Sequence, residues 1–395
     1  VESPGQFEIS QVSYRMHPSF LPRTYCKTLP PFQTVQTSWG LFNVDITVLT
    51  RDGGRHRLDS FPILPKRHEV DHSVTLRKRC AENLETFTSQ FGSETFGLEL
   101  ELTHDRLIPE EVAERIAAQS GHAVHLGRDP IWQSWTIMND SSVACTPYQP
   151  STCTTFELVS PKLRGSSGRG LEAVQSVVNA VDEIGVKVNR TAGFHVHVNA
   201  EGMQFAEVRQ VAQAFLKYEA VFDMMMPPSR RGDSNQYCLS NVSAVAGDCH
   251  LDGEALHARL ESTATLYELV NMVSPTRYFK LNLQNLTGGD KRTIEFRQHS
   301  ATSSAVKVEA WIRLLLRFVT AARQRPSAKA FKDSTPIDER FERLFQWVIK
   351  DTELHEYYSG RIKELNRGDS GHFEGAMASG ASCSAGCTGR CCVHR

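Results

Sequence analysis

Alternating apolar and polar residues predict short β-strands in the middle of the chain. This period of two is typical of strands with one buried face, and it is seen at 96–102, Thr154–Val159, Gly193–Asn199 and 293–298. Residues 278–283 form a further candidate strand, and the turn-forming residues 287–290 would join it to 293–298 as a hairpin. Weaker strand patterns occur at 123–126 and 131–138.

Helical patterns lie between these strands. Pro109, followed by two glutamates, is typical of a helix start and predicts a helix to about residue 119. Apolar residues at helical spacing from Leu171 to Val181 predict a second helix, which Gly185 would end. Further helices are predicted near 205–215, 305–322 and 337–350. The mixed order favours the α+β class, with a largely antiparallel sheet flanked by helices.

The two ends of the chain lack such regularity. Seven of the 17 prolines lie between Pro4 and Pro65, and only residues 39–49 are typical of a strand. We therefore predict a mostly irregular N-terminal arm over 1–92 and a catalytic domain over 93–366. Residues 367–395 are rich in Gly, Ala, Ser and Cys, which predicts a flexible Cys-rich tail.

Composition narrows the class of protein. The 395 residues carry 44 Lys+Arg against 45 Asp+Glu, a net charge of −1, which argues against nucleic acid as a partner. No apolar run approaches the ~20 residues that span a bilayer, and no signal-peptide pattern opens the sequence. We expect a cytoplasmic protein with no membrane span, and the scattered cysteines predict no disulfide framework.

Candidate chemistry lies on the polar faces of four predicted strands. These faces carry Glu99, Glu101, Glu157, His195, His197, Glu295 and Arg297. Any one strand could simply turn its polar face to water. Several carboxylates on one sheet face repel each other, however, unless cations lie between them or some stay protonated. Carboxylates with imidazole favour a divalent metal such as Mg²⁺, and also permit Mn²⁺ or Zn²⁺. The arginine indicates an anionic group such as phosphate.

The same four strands carry a family resemblance. The motifs FGLELEL, FELVSP, TAGFHVHVN and RTIEFRQHSAT, in this order, resemble those of the amidoligase family, which is related to glutamate–cysteine ligase and glutamine synthetase. The resemblance covers about 95–322. It implies an ATP-dependent carboxylate–amine ligase that forms an amide bond through an acyl phosphate. It also implies a glutamine synthetase-like fold whose antiparallel sheet forms one wall of an active-site funnel.

The resemblance also implies roles for individual residues. The metal ligands would be Glu99, Glu101, Glu157, His195 and Glu295. The catalytic residues would be Arg297, Glu157 and His195, with His195 either a ligand or a substrate contact. His197 and Arg297 would contact ATP. From strand alternation we also assign Lys280 to nucleotide binding, although a polar strand face beside the site explains it equally well.

Two other classes of protein stay open. A metal-dependent amide hydrolase would use similar carboxylates and imidazoles to activate water. A catalytically inactive nucleotide-binding protein would keep the sheet without turnover. The acid and amine substrates stay open too, whether small molecules, peptides or protein side chains, and so does the oligomeric state.

Overall fold

The chain divides into two compact units, Val1–Gln90 and Phe91–Arg395. The structure is a computed structural model. It describes the backbone of four strands in the first unit and residues 94–129, 132–165, 169–288, 291–324 and 329–369 in the second. Within these residues, no helix has the length and apolar character needed to cross a membrane.

The N-terminal unit contains a four-stranded antiparallel sheet. Its strands are β1 (Ile9–Arg15), β2 (Thr24–Lys27), β3 (Phe42–Thr50) and β4 (Arg55–Ile63), in the order β2-β1-β3-β4. The strand predicted at 39–49 corresponds to β3, but the prediction of a mostly irregular arm missed the other three strands. The physical reason is that pairing with neighbours stabilises strands whose own sequences, interrupted by charges and proline, show little alternation.

The second unit is built on an eight-stranded sheet. Its strands are β5 (Thr95–His104), β6 (Val124–Leu126), β7 (Trp135–Met138), β8 (Thr154–Val159), β9 (Leu163–Arg164), β10 (Gly193–Asn199), β11 (Leu281–Asn282) and β12 (Thr293–Ser300). The order is β11-β12-β10-β5-β8-β7-β6, and β9 pairs with β5. Within this sheet only the pair β6–β7 is parallel, so the predicted α+β class with a largely antiparallel sheet is confirmed.

Nine α-helices are described in the second unit. They are α1 (Pro109–Ser120), α2 (Arg169–Glu183), α3 (Phe205–Met224), α4 (Asn241–Ala246), α5 (Gly253–Glu261), α6 (Leu266–Val273), α7 (Ala305–Gln324), α8 (Ile337–Leu344) and α9 (Thr352–Asp369). The α1 helix ends within one residue of the predicted residue 119, and Gly121, whose φ is 73°, follows it as the C-cap. The helix predicted over 337–350 is shorter, because one π-helical turn, Phe345–Ile349, follows α8.

The apolar face of the sheet forms the core. Phe296 of β12 contacts Phe215 of α3 and Phe318 of α7, with ring centroids 5.9 and 6.4 Å apart. Leu98, Leu100, Phe156, Leu158, Phe194, Val196, Val198 and Ile294 on the same face are at most 1% exposed. The alternation that predicted the strands therefore also predicted which side chains are buried under the helices.

Two features of the cysteines bear on the predictions. Cys145 and Cys153, eight residues apart, form a disulfide in the loop between β7 and β8, and among the described residues Cys238 and Cys249 are free thiols. Cys383, Cys387, Cys391 and Cys392 lie outside the described residues, as does the segment beyond Asp369, where α9 ends.

Candidate active site

The register of the sheet brings the predicted polar side chains together. His195 is opposite Glu99, His197 opposite Glu295, and Glu101 opposite Glu157. Directly opposed residues project from the same face of a sheet and lie close together. Side chains that are far apart in sequence therefore become neighbours on the face opposite the core.

The His195 imidazole lies at the centre of this cluster. Its Nδ1 is 3.3 Å from Glu99 Oε2 and 3.8 Å from Glu295 Oε1. Its Nε2 is 3.4 Å from Glu101 Oε1. Ligand atoms of Glu99, His195 and Glu295 lie within 4.8 Å of one another, and so do those of Glu101, Glu157 and His195. The structure thus places all five predicted metal ligands in two adjacent groups that share one histidine.

The cluster is buried rather than solvated. Glu101, His195, His197 and Glu295 are 5%, 3%, 6% and 4% exposed. Polar strand faces that simply contact water would be far more accessible. Because burying several carboxylates is costly unless cations compensate them, the cluster needs positive charge in or beside it.

Two basic residues and an amide supply part of that compensation. Arg297 Nη1 lies 2.5 Å from Glu295 Oε1, and Lys291 Nζ lies 2.8 Å from Glu99 Oε1. Asn282 Nδ2 donates to Glu295 Oε2 at 2.7 Å. These contacts hold the carboxylates in fixed orientations, which is what a site that binds metal or phosphate requires.

The surroundings favour the ionised form of two carboxyls. Burial opposes ionisation of Glu99, but the charge of His197, hydrogen bonds from the neighbouring imidazoles and the charge of Lys291 hold the pKa of its carboxyl well below the usual range. Burial opposes ionisation of Glu295 as well, and the charges of His197 and Arg297 outweigh it, so that its pKa is also lowered. Both side chains are therefore charged acceptors at neutral pH.

Glu157 behaves in the opposite way. Burial, followed by repulsion from Glu99, Asp140 and Glu101, raises the pKa of its carboxyl to about 9. Without a cation beside it, this carboxyl holds a proton at neutral pH. Protonation of Glu157 thus reduces the negative charge of the cluster. Repulsion between neighbouring carboxylates can be relieved either in this way or by cations between them.

A buried nitrogen atom indicates that the cluster fits a ligand. Among the residues that the structure describes, Arg297 Nε has no hydrogen-bond partner, whereas His197 Nε2 lies 3.0 Å from Glu99 Oε1. Buried polar atoms are rarely left unsatisfied. Carboxylate oxygens with imidazole nitrogen form a donor set suited to Mg²⁺ or Mn²⁺, and the unsatisfied guanidinium N–H is suited to an anion beside the metal.

A small cleft adjoins the cluster at one end of the sheet. It is half-open, has a volume of about 100 Å³ and is lined by residues that include Gly97, Trp132, Lys162, His197 and Lys291. Lys291 Nζ also lies 5.2 Å from the centroid of the Trp132 ring. The cleft therefore combines an aromatic surface with cations next to the candidate metal ligands.

Lys280 does not lie where alternation predicted. Its side chain is fully buried, and its Nζ lies 2.9 Å from Glu219 Oε1 and 2.7 Å from Asp223 Oδ1 of helix α3. The strand β11 is only two residues long, so the alternation that we extended from Asn282 back to Lys280 does not hold. The ammonium is paired with two carboxylates of the fold, which favours a structural role for Lys280, and its assignment to nucleotide binding stays a prediction.

Sequence reasoning also missed several residues of the site. Lys291 and Trp132 lie in connections, where side-chain direction has no period to follow. A carboxylate pattern could have suggested that a nearby lysine pairs with Glu99, but nothing in the sequence indicates which one.

Comparison with known families identifies the second unit. The chain belongs to the amidoligase family: the family model described as "Putative amidoligase enzyme" matches residues 93–319. This confirms the predicted resemblance and supports a ligase-type enzyme. A second family model, described as "YEATS family", matches residues 6–78, within the N-terminal unit.

Comparisons with individual proteins add little. No curated protein matches the chain. Among solved structures, a bifunctional glutathione synthetase from Pasteurella multocida is similar over 73% of this chain and 47% of its own, with 12% identity and a TM-score of 0.30. This chain thus spans about half the length of that protein, and a likeness at this TM-score carries no argument.

Proposed function

We propose that the chain is an ATP-dependent carboxylate–amine ligase that forms an amide bond through an acyl phosphate. The observation that supports this most is the pair of adjacent ligand groups around His195, with Arg297 and Lys291 beside them. Phosphoryl transfer requires positioned positive charge more than covalent help from the protein. The proposal includes a glutamine synthetase-like arrangement, in which the sheet forms one wall of the site.

The two ligand groups would hold Mg²⁺, with Mn²⁺ as the alternative. When bound, the metal would neutralise phosphate and carboxylate charge in the transition state. A neutral imidazole has one free lone pair, so His195 would complete only one of the two groups. The other group, either Glu99 with Glu295 or Glu101 with Glu157, would then take its remaining ligands from substrate and water.

The nucleotide would bind at the cleft end of the cluster. The Trp132 ring offers a surface for stacking; Lys291 Nζ lies 5.2 Å from its centroid and 2.8 Å from Glu99 Oε1, and His197 lines the same cleft. Arg297 would donate its unsatisfied Nε–H to the transferring phosphoryl group. This places the phosphates over the metal ligands and leaves the Glu101–Glu157 side for the acid.

The reaction proceeds in two displacements. An oxygen of the acid carboxylate attacks the terminal phosphorus of ATP, and ADP leaves, which gives an acyl phosphate. The amine then attacks the carbonyl carbon, phosphate leaves, and the amine nitrogen loses one proton. The chain's residues position the groups and offset their charge, so that a poor electrophile becomes a good one.

The direct test is condensation with loss of water. Purified full-length chain with Mg²⁺, ATP and pools of acids and amines should release ADP and yield a product mass equal to acid plus amine minus water. Hydroxylamine can replace the unknown amine, because it converts an acyl phosphate to a hydroxamate. Cleavage of an amide without nucleotide would contradict the proposal and favour the hydrolase.

Glu99→Gln tests the metal site itself. The substitution removes one negative charge from the ligand group while keeping the size of the side chain. We expect Mg²⁺ affinity, measured by calorimetry, to fall at least about 100-fold, with turnover lost and circular dichroism unchanged. Glu114→Gln, at an exposed position of α1, is the matched control and should behave like wild type. Unchanged Mg²⁺ affinity in Glu99→Gln would exclude this site.

A further inference from the structure

Asn241 is a buried amide that takes the place of a neighbouring strand. It is the first residue of α4 and is fully buried. Its Nδ2 donates to Leu281 O at 2.8 Å, and its Oδ1 accepts from Leu281 N at 2.9 Å. The same Nδ2 also donates at 2.8 Å to the carbonyl of Val273, the last residue of α6. One side chain therefore joins α4, α6 and the strand β11.

Strand β11 needs such a partner. It lies at the edge of the sheet, is only two residues long, and pairs with β12 on its other side. An edge strand presents unpaired N–H and C=O groups, and buried groups of this kind are costly unless they are hydrogen-bonded. Leu281 is fully buried, so these groups of its backbone rely on the protein for a partner. The Asn241 amide thus fixes the position of β11.

The next residue of β11 orients a candidate metal ligand. Asn282 lies opposite Glu295 in the sheet and donates through Nδ2 to Glu295 Oε2 at 2.7 Å. The Oδ1 atom of Asn282 accepts from Gln284 N at 2.9 Å, which fixes the direction of the amide. A second amide, that of Asn285, donates to the same Glu295 oxygen at 3.3 Å.

These two donors determine which oxygen of Glu295 faces the candidate metal site. Oε2 accepts from the amides, whereas Oε1 lies 3.8 Å from His195 Nδ1 and 3.9 Å from His197 Nε2. A carboxylate that is held at one oxygen presents the other in a fixed direction, and metal ligands are commonly oriented by such outer hydrogen bonds. Displacement of β11 would release Oε2 and let the carboxylate rotate away from the imidazoles.

We propose that Asn241 is a positioning residue for the metal site, which acts through β11 and Asn282 on Glu295. This inference rests on the proposed use of Glu295 as a metal ligand. The hydrogen bonds of the Asn241 side chain go to backbone atoms of Leu281 and Val273, so its effect on metal affinity is transmitted by the strand. Helix α4, which contributes none of the proposed ligands, is thereby part of the device that holds one of them.

Metal affinity, measured separately from stability, tests the inference. For the full-length chain, Mg²⁺ binding is measured by calorimetry and the free energy of unfolding by urea denaturation. Asn282→Ala removes the amide that holds Glu295 and should weaken Mg²⁺ binding about tenfold to 100-fold. Asn241→Ala should weaken it about tenfold, although no proposed ligand is changed. Val245→Ala is the control, since this residue of α4 is 1% exposed and its truncation should lower stability without changing Mg²⁺ affinity.

Two further measurements separate positioning from a general loss of structure. In a chain that already carries Asn282→Ala, Asn241→Ala should weaken Mg²⁺ binding no further, because both changes interrupt one route. In the metal-free chain, the Leu281 N–H should lose protection from hydrogen exchange in Asn241→Ala. Asn241→Asp keeps the shape and the oxygen that accepts from Leu281, so its Mg²⁺ affinity should lie between those of wild type and the alanine variant.

The outcomes are distinguishable. Wild-type Mg²⁺ affinity in Asn241→Ala, or in Asn241→Asp if the alanine variant does not fold, overturns the inference and leaves the metal site intact. An equal loss of affinity in Val245→Ala overturns it too, because affinity would then simply follow stability. Additive losses in the double variant exclude the route through Asn282. If the wild-type chain binds no Mg²⁺, the proposed metal site fails and the inference fails with it.

Discussion

At the residue scale, protonation of Glu157 links the stability of the fold to pH and to metal binding. Its pKa of about 9 lies above the ordinary value, so between about pH 4.5 and pH 9 the folded chain holds a proton that the unfolded chain releases. Stability therefore falls as pH rises through this interval. Glu157→Gln stays neutral, and we expect its melting temperature without metal to exceed that of wild type at pH 8.

The same variant should lose its advantage when metal is present. Mg²⁺ bound at the proposed site would displace the proton from wild-type Glu157 and raise the melting temperature of the wild-type chain by mass action, whereas the glutamine cannot replace a charged ligand. The measurement is a pair of thermal melts at pH 8, in EDTA and in excess Mg²⁺. A Glu157→Gln chain that is less stable than wild type in EDTA would contradict the assigned protonation.

Gly193 predicts a second residue-scale result. The methyl group of Gly193→Ala would lie 2.8 Å from His195 Nε2, closer than van der Waals contact allows, so the imidazole must move. We expect Mg²⁺ affinity to fall about tenfold or more while the fold is kept. Gly360→Ala is the control, because no described atom outside its own stretch of helix lies within 4 Å of the added carbon. Equal Mg²⁺ affinity in both variants would show that the imidazole position is unimportant.

At the element scale, a variant of Lys280 tests whether this buried charge stabilises the fold or binds a ligand. Helix α3 supplies Glu219 and Asp223 to this fully buried ammonium. Removing one member of a buried ion pair typically costs about 3–5 kcal/mol. Lys280→Met should therefore lower the free energy of unfolding by that order, measured by urea denaturation, while nucleotide affinity below the transition stays unchanged. Weaker nucleotide binding without loss of stability would instead support the assignment of Lys280 to nucleotide binding.

The strands of the sheet show which features of the fold could be predicted from the sequence. Strands β8 and β10 have the predicted bounds, because alternation is strong where one face is buried. The register irregularity between Phe194 and Val196 was not predictable. It pairs His299 with Phe194, so that this histidine packs against Phe194 and Trp311 in the core rather than extending the polar face. A bulge depends on pairing between strands, which no single segment encodes.

The residues of the candidate site likewise fall into those that alternation predicts and those that it does not. Alternation placed seven polar side chains on one face, and the structure brings them together. The three short helices α4–α6 and the site residues Lys291 and Trp132 were missed. Short helices are stabilised by tertiary packing rather than by propensity, and side chains in connections have no period from which to read a direction.

At the scale of the whole molecule, acid stability should depend on the same His299. Its pKa is lowered to about 3 by burial and neighbouring charge, against ~6.5 for an unfolded chain. Below pH 6.5 the unfolded state therefore binds a proton that the folded second unit excludes, and stability falls as pH decreases toward 3. At pH 5 this one group would cost about 2 kcal/mol.

His299→Phe removes that titration while keeping an aromatic ring between Phe194 and Trp311. We expect the variant to lose less stability than wild type between pH 7 and pH 5, measured by urea denaturation at each pH. His122→Phe changes a half-buried histidine elsewhere in the same unit and should follow the wild-type pH dependence. If His299→Phe also follows it, the acid sensitivity of the fold arises from groups other than His299.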